Sequence, residues 1–329
     1  MARGDSRRAL DGRKEKMPYP LALHTCGGQG GTDFNFDGRN NGATLEKIWV
    51  WVGGWQIKCV KAWLTDGRSA QYGNPSGSQK EFVFQPGELF SSLSLWGNGA
   101  GTRMGAFKFR TSKGRDFFVK MTDWGLKTEY PVDIGSGICL GIQGKASSDI
   151  DCMGFVFINS VKRSELINVT YPTLRKQLPQ VQMEEIKSIS YKNKGSVDQT
   201  YKIESSKTLT KTSSWSISNK LEATVSISVK AGIPDVVEVA SGFSFTVGTE
   251  STRGVENSES KTELLSFDVT VPAGKTTVID ITIGRAEIDL PYKGTVRMSL
   301  LNGATFDIPM EGVYKGLAYT KATAETKEK

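Results

Sequence analysis

Residues 221–247 alternate between apolar and polar side chains, and this period of two indicates β-strands. An interruption at Gly232-Ile233-Pro234-Asp235 separates two runs, each about as long as the 9–11 residues with which a tilted strand crosses a bilayer. The polar positions are mostly Ser, Thr and Gly, which suit a water-filled lumen. The pattern is typical either of a half-buried sheet in a soluble protein or of a hairpin that enters a membrane. The apolar positions are Leu221, Ala223, Val225, Ile227, Val229, Val237, Val239, Phe243, Phe245 and Val247.

Composition favours an all-β chain with many short turns. The 329 residues include 36 glycines, and no long segment has the apolar spacing of a helix. This length is sufficient for two domains. Because no run of about 18 apolar residues occurs, we expect no transmembrane helix. Any crossing of a membrane would then require a β-barrel, built from several chains because open sheet edges cannot face lipid.

The charge distribution argues against a nucleic-acid partner. The net charge is +7, and residues 1–16, with six basic and three acidic side chains, supply +3 of it. No basic stripe remains in the rest of the chain, so we expect no nucleic-acid binding. Residues 1–16 lack periodicity and are expected to form a disordered leader or extension outside the fold. They also lack the apolar stretch of a secretory signal, which predicts a soluble protein kept in the cytoplasm or released by a non-classical route.

The residues needed for catalysis are scarce. His24 is the one histidine of the chain, and neither a GxxxxGK[ST] loop nor an HExxH motif occurs. The four cysteines, which form no CxxC pair, are expected to be thiols or to include one disulfide. We therefore predict a protein that is not an enzyme and that has no metal and no cofactor. The cysteines are Cys26, Cys59, Cys139 and Cys152.

Two loops in the first half combine backbone donors with a carboxylate, the groups that pair with sugar hydroxyls. One is Gly27–Gly31 (GGxGG) and the other runs from Gly144 to Asp151. With Ile57–Val60, Phe107–Thr111 and the closing Ile150–Phe155, they make residues 18–158 resemble the jacalin-type lectins. The resemblance implies a β-prism of three sheets that binds mannose-type or galactose-type sugars between a glycine-rich loop and a GxxxD loop.

Carried onto this chain, the resemblance places the carbohydrate site at Gly27, Gly28, Ser148, Asp149 and Asp151. The acid of the GxxxD motif falls on Asp151, and the variable positions fall on Ser148 and Asp149. Gly28 is expected to be a backbone donor to the sugar. The glycine that opens the motif is replaced here by Ser147.

The second half resembles the pore-forming module of the aerolysin family. The matching features are the Ser/Thr-rich strands, the segment 207–214, the alternating hairpin, and Val271-Pro272-Ala273-Gly274-Lys275. The two modules in one chain resemble the natterin-like proteins, which are aerolysin-like proteins with an N-terminal jacalin domain. The predicted fold is a β-prism lectin domain, residues 17–158, followed by an elongated aerolysin-type β-rich module, residues 159–329.

The resemblance implies a toxin-like protein that docks on cell-surface glycans, with mannose-type glycans favoured. A soluble homodimer would assemble into a ring at the outer face of the target cell membrane, and residues 215–250 would enter the lipid bilayer as part of a β-barrel. The alternative is a non-lytic carbohydrate-binding protein whose second module is only a stalk or a dimerisation unit.

Overall fold

The computed structural model describes residues 19–217 and 225–329, and strands with connecting loops make up both ranges. This confirms the predicted all-β fold class. The part up to Ile158 forms three four-stranded sheets. The part from Val161 onward forms one nine-stranded sheet and a separate two-stranded hairpin.

The three sheets of the first part surround a single core and form the predicted β-prism. Alternate residues of each strand point into this core, as Ile48, Val50 and Val52 do. Phenylalanine rings fill its centre, with the Phe90 and Phe157 ring centroids 5.1 Å apart. In spatial order the three sheets are β1 (Leu21–Gly27), β12 (Ile150–Ile158), β11 (Cys139–Ala146) and β2 (Thr32–Asp37); β5 (Ser69–Gly73), β4 (Ile57–Leu64), β3 (Leu45–Val52) and β6 (Ser78–Val83); and β10 (Tyr130–Pro131), β7 (Phe90–Gly97), β8 (Met104–Thr111) and β9 (Asp116–Lys120).

The second part is organised around one very long strand, β21 (Thr276–Leu300). Its first half lies between two neighbouring strands, and its second half lies between two others. At the far edge of the sheet, two long strands pair without a register shift from Gln199↔Val271 to Ser214↔Glu256. The strands are β13 (Val161–Thr170), β14 (Val181–Lys192), β15 (Gln199–Trp215), β16 (Ile227–Ala231), β17 (Pro234–Val239), β18 (Gly242–Val247), β19 (Ser251–Arg253), β20 (Glu256–Val271), β22 (Thr305–Tyr319) and β23 (Thr323–Glu328).

The prism and the long sheet share a hydrophobic core. Val156 and Ile158 of β12 pack in one cluster with Leu300 and Phe306 of the second part. All of β12 is buried, with Phe155 and Phe157 in the prism core and Val156 and Ile158 packed against the second part. A hydrogen bond of 2.8 Å from Asn302 Nδ2 to the Tyr19 carbonyl also joins the two parts. Residues 159 and 160 connect β12 to β13, and the domain boundary between 158 and 159 stays a prediction.

In this structure the two runs of residues 221–247 do not pair with each other, and their pairing as one hairpin in a membrane stays a prediction. The strand β16 pairs in parallel with β13 and antiparallel with β19, not with the second run. The second run is itself folded into the hairpin of β17 and β18, with its turn at residues 240–241. Gly242 follows this turn with a φ of 122°, a conformation that glycine adopts readily. The interruption that was predicted at 232–235 is shorter, because Pro234 already begins β17.

The tight turn also changes which side chains share a face. Val239 lies opposite Gly242 and Val237 lies opposite Ser244, and directly opposed residues point to the same side of a sheet. Val237 and Val239 therefore point away from the face that carries Phe243 and Phe245, although a single continuous strand would have aligned all four. Leu221 and Ala223 lie outside the described residues.

One buried carboxylate helps to hold the prism together. Glu88 accepts hydrogen bonds from Arg115 Nε at 2.9 Å, from the Thr111 hydroxyl at 2.5 Å and from the Gln85 amide at 2.8 Å. Burial raises the pKa of Glu88, but these hydrogen bonds outweigh burial and bring the pKa down to about 2. The ionised form is therefore stabilised by the fold.

We expect Glu88→Gln to destabilise the prism by roughly 3 kcal/mol at neutral pH, the equivalent of the lowered pKa. This stabilisation is complete above the pKa of an unfolded glutamate and is lost as the pH falls through about 2. The difference in melting temperature between wild type and variant should therefore be largest near pH 7 and shrink in strong acid. A constant difference across that range would contradict the role of the charge.

Candidate functional site

The glycine-rich loop between β1 and β2 is folded around the carboxylate of Asp151. The Gly28 amide donates to the Asp151 carbonyl at 2.8 Å. A Cβ atom on Gly30 would lie 2.7 Å from Asp151 Oδ1, and one on Gly31 would lie 2.5 Å from Oδ2. Gly31 also has a φ of 75°. Only glycine fits this close approach, which explains the GGxGG pattern in physical terms.

Asp151 is 1% exposed and forms an ion pair with Arg103. The Arg103 Nη1 atom lies 2.7 Å from Asp151 Oδ1, and the Ser147 hydroxyl lies 3.4 Å from Oδ2. A sugar hydroxyl can reach the Asp151 carboxylate only if Arg103, which is one-third exposed, moves aside. In this structure Asp151 therefore holds Arg103 and the glycine-rich loop in place and is not itself exposed to a ligand.

Asp149 forms the accessible part of the same network. Its carboxylate lies 3.0 Å from Lys58 Nζ, accepts a hydrogen bond of 2.7 Å from Gln56 Nε2, and is 3.7 Å from Arg103 Nε. Two carboxylates and two cations thus meet at one end of the prism and balance in charge. A neutral, hydrogen-bonding surface of this kind suits an uncharged polyhydroxylated ligand better than an anion.

The structure brings the five predicted site residues together, but it gives one of them a different task. The Gly28 amide was predicted to be a donor to the sugar, yet it is already bound to Asp151, and Gly28 is buried. Ser148 is exposed beside Asp149. Whether these residues bind a sugar stays a prediction.

Sequence reasoning did not find Gln56, Lys58 and Arg103. They come from the other two sheets of the prism, Gln56 and Lys58 from the β3–β4 loop and β4, and Arg103 from the loop that precedes β8. A prism brings three loop clusters to one end, and the glycines of Gly53-Gly54 and of Gly97–Gly101 mark the two other clusters in the sequence. The recurrence of these glycines was the sequence signal that could have indicated the two other loop clusters.

His24 lies outside this network. It lines an open cavity of about 550 Å³ together with Thr25, Gly27 and Tyr130, among others, and no serine or carboxylate among the described residues lines that cavity. Within residues 19–217 and 225–329, no group of three or more His, Cys, Asp or Glu side chains could hold a metal ion. The four cysteines are free thiols.

The second candidate region is the hairpin of β17 and β18. On one face, Val236, Phe243 and Phe245 pack against the core of the second part. On the other face, Val237 and Val239 are each 41% exposed. The described ranges contain no helix that is both long and apolar enough to span a bilayer.

A half-buried tyrosine connects the start of this hairpin to the long sheet. The Tyr171 hydroxyl donates to the Gly232 carbonyl at 2.9 Å and accepts from Trp215 Nε1 at 3.0 Å. Burial raises the pKa of Tyr171 to about 12, so the hydroxyl keeps its proton at neutral pH. An ion pair of 3.0 Å between Lys211 Nζ and Asp235 Oδ2 lies nearby at the surface.

Comparison with known proteins identifies both parts. The jacalin-like lectin domain matches residues 23–156, and the aerolysin toxin family matches residues 174–313. The crystal structure of lamprey immune protein is 59% identical, has a TM-score of 0.91, and covers 95% of this chain and 100% of that chain. The chain belongs to the aerolysin-like proteins that carry an N-terminal jacalin-type lectin domain.

Two lectins match a smaller share of the chain. Wild-type Malaysian banana lectin is 22% identical with a TM-score of 0.36, and it covers 42% of this chain and 97% of that chain. A mannose-binding jacalin-related lectin from Ananas comosus is 21% identical with a TM-score of 0.35, covering 43% and 99%. No curated protein sequence matches the chain.

Asp151→Asn should weaken glycan binding at least tenfold, because it removes the negative charge that holds Arg103 and the glycine-rich loop in place. Breaking the pair should also cost roughly 1–2 kcal/mol of stability, less than for a fully buried pair because Arg103 is one-third exposed. Glycan-array binding and thermal unfolding measure the two effects.

The matched control is Asp33→Asn on the same sheet, where the side chain is 82% exposed and lies 3.0 Å from Lys145. This variant should leave binding and melting temperature unchanged. A folded Asp151→Asn protein with full glycan binding would remove Asp151 from the site.

Proposed function

We propose that this protein docks on cell-surface glycans through its prism and then, as a ring of chains, inserts residues 215–250 into the target membrane as a β-barrel. The observation that carries the proposal is the register of the ladder between β15 and β20. These strands flank the alternating segment, and they pair antiparallel without a shift up to Ser214↔Glu256. The Trp215 amide extends the ladder by donating to the Val255 carbonyl at 3.1 Å.

Continuing this register through the segment aligns its apolar residues. Val225 then pairs with Phe245, Ile227 with Phe243, and Ala231 with Val239. The turn falls at Asp235, within the interruption that the sequence pattern marks. Because directly opposed residues share a face, one side of the extended hairpin becomes apolar and the other carries Ser, Thr and Glu. The resting hairpin of β17 and β18 does not have this alignment, so insertion requires that it unzip.

The prism supports neutral glycans as the docking target. Its four-charge network is balanced, and exposed Ser148 and partly exposed Asp149 lie at its rim. We place mannose-type glycans first. The Asp151 motif is common to the mannose-type and galactose-type jacalin lectins, so a glycan array decides between the two sugar classes. A single shallow site of this kind binds weakly, and a ring raises the affinity through effective concentration.

Ring formation also solves the problem of unpaired strand edges. An isolated hairpin in lipid would leave backbone groups without hydrogen bonds on both sides, whereas neighbouring chains in a closed barrel pair them. Before assembly, a soluble homodimer would cover the exposed Val237 and Val239. The protein acts without catalysis at the outer face of the target membrane.

A second candidate function is a non-lytic lectin whose long sheet serves as a stalk or dimerisation unit. The exposed side chains of Val237 and Val239 favour this second function, because they are suited to the contact of a permanent dimer. Release of dye from glycan-bearing liposomes separates the two functions, because only a pore-forming protein empties the vesicles.

Val239→Asp should reduce dye release at least tenfold. In the extended register Val239 faces lipid, where the charge costs roughly 1 kcal/mol in every chain of the ring. The side chain is already exposed in the resting protein, so the melting temperature should not change. Ala240→Asp is the control, since this neighbouring exposed residue faces the lumen and should release dye normally. An equal loss of dye release in both variants would refute the assignment of Val239 to lipid and of Ala240 to the lumen.

Paired cysteines test the register directly. Ala231→Cys with Val239→Cys should form a disulfide only after membrane assembly, because in the resting protein Ala231 pairs with Ser251 and Val239 with Gly242. Val237→Cys with Ser244→Cys joins directly opposed residues of the resting hairpin and should block dye release until a reductant is added. Non-reducing electrophoresis and dye release provide the measurements. Full release from the oxidised second variant would show that the hairpin does not unzip.

A further inference from the structure

Two exposed tryptophans stand together at the glycan-binding end of the prism. Trp55 is 56% exposed and Trp124 is 46% exposed, and their ring centroids lie 6.1 Å apart with an angle of 34° between the planes. Large aromatic side chains are usually buried, so a solvent-exposed pair of them indicates a surface prepared for a ligand. Nothing in the pore-forming part of the proposal uses this pair.

The pair is connected to the candidate sugar site through the backbone of one loop. Trp55 lies in the loop between β3 and β4, and the next residue, Gln56, donates a hydrogen bond of 2.7 Å to Asp149. Consecutive Cα atoms are about 3.8 Å apart, so the tryptophan pair is a close neighbour of the Asp149 network. An oligosaccharide bound at Asp149 can therefore extend toward the rings.

The surroundings of the pair repeat the arrangement around Asp151. Gly54 packs directly on the carboxylate of Asp123, as Gly30 and Gly31 pack on that of Asp151. The Asp123 amide donates to the Gly54 carbonyl at 2.8 Å, and the Thr122 hydroxyl donates to Asp123 Oδ1 at 2.8 Å. Unlike Asp151, Asp123 is exposed, and no ion pair is found for it within the described ranges. Its carboxylate can accept hydrogen bonds from a ligand.

We propose that Trp55, Trp124 and Asp123 form a second carbohydrate subsite, which takes a further pyranose ring of a neutral oligosaccharide held at the Asp149 network. A tryptophan ring offers a flat apolar surface to the C–H face of a sugar, and the carboxylate accepts from its hydroxyls. This inference rests on the proposed glycan-binding function and specifies it. A lipid surface is the less suitable ligand, because the exposed carboxylate of Asp123 is repelled by anionic headgroups.

The experiment compares full-length wild type with Trp55→Ala, Trp124→Ala and Trp55→Phe on an array of immobilised mono- and oligosaccharides. Methyl α-mannoside and mannotriose are then titrated by calorimetry. We expect the alanine variants to lose about tenfold in binding to oligosaccharides, with monosaccharide binding unchanged within about twofold. Trp55→Phe should recover part of the loss, since it restores a flat ring. Tyr19→Ala, which removes an exposed aromatic side chain at the opposite end of β1, is the control and should bind like wild type.

The outcomes distinguish failure of the second subsite from failure of the proposed glycan-binding function. Unchanged oligosaccharide binding in both alanine variants, with wild type binding glycans, overturns the subsite and leaves the proposed function standing. A wild-type protein that binds no glycan on the array overturns both. Binding to glycan-free phosphatidylcholine vesicles that falls in Trp55→Ala, without any change in oligosaccharide binding, assigns the pair to the membrane surface and also overturns the subsite.

Discussion

The antiparallel ladder between β15 and β20 determines which side chains of the segment between them can face the same way. Side chains alternate along a strand, so the faces set at Ser214 and Glu256 are carried into any extension of the ladder. In β15 the odd-numbered residues point inward, and Ile203, Leu209 and Trp215 are buried. The same odd positions are apolar through most of residues 221–247. The buried members of this set, such as Val229, serve the protein core in the resting state and would face lipid in the proposed pore.

The resting arrangement of the segment is assembled from short pieces. The strand β16 has five residues and β19 has three, whereas β15 and β20 form sixteen consecutive pairs. Short strands open at a lower free-energy cost than a long ladder does. What opposes opening is the burial of Val229 and Ala231, the packing of Phe243 and Phe245 on the core, and the hydrogen bond from Tyr171 to Gly232. In the proposed insertion these contacts are exchanged for a continuous ladder in lipid.

The sequence predicted which side chains share a face of a strand better than it predicted which strands pair. Alternation identified the strands around Val229 and Phe245, since a period of two follows from backbone geometry alone. It could not show that β16 would pair with β13, because pairing depends on distant segments, nor that a turn at 240–241 would reverse the second run. In the prism, the glycine-rich loop and Asp151 were recognisable because only glycine fits against that carboxylate. Arg103 was not, because its ion pair arises from the way three sheets converge.

The shared core of Val156, Ile158, Leu300 and Phe306 makes the prism turn with the long sheet as one piece. In the proposed pore each chain supplies two strands, which occupy about 10 Å of the barrel wall at a strand spacing of about 4.8 Å. A prism of this length has a radius of gyration of about 14 Å and hence a width of about 35 Å. The prisms must therefore stand on a circle roughly three times wider than the barrel. Because each prism is fixed to its own long sheet, it cannot move outward independently. Crowding among the prisms, not the curvature of the barrel, then limits how many chains one assembly can hold.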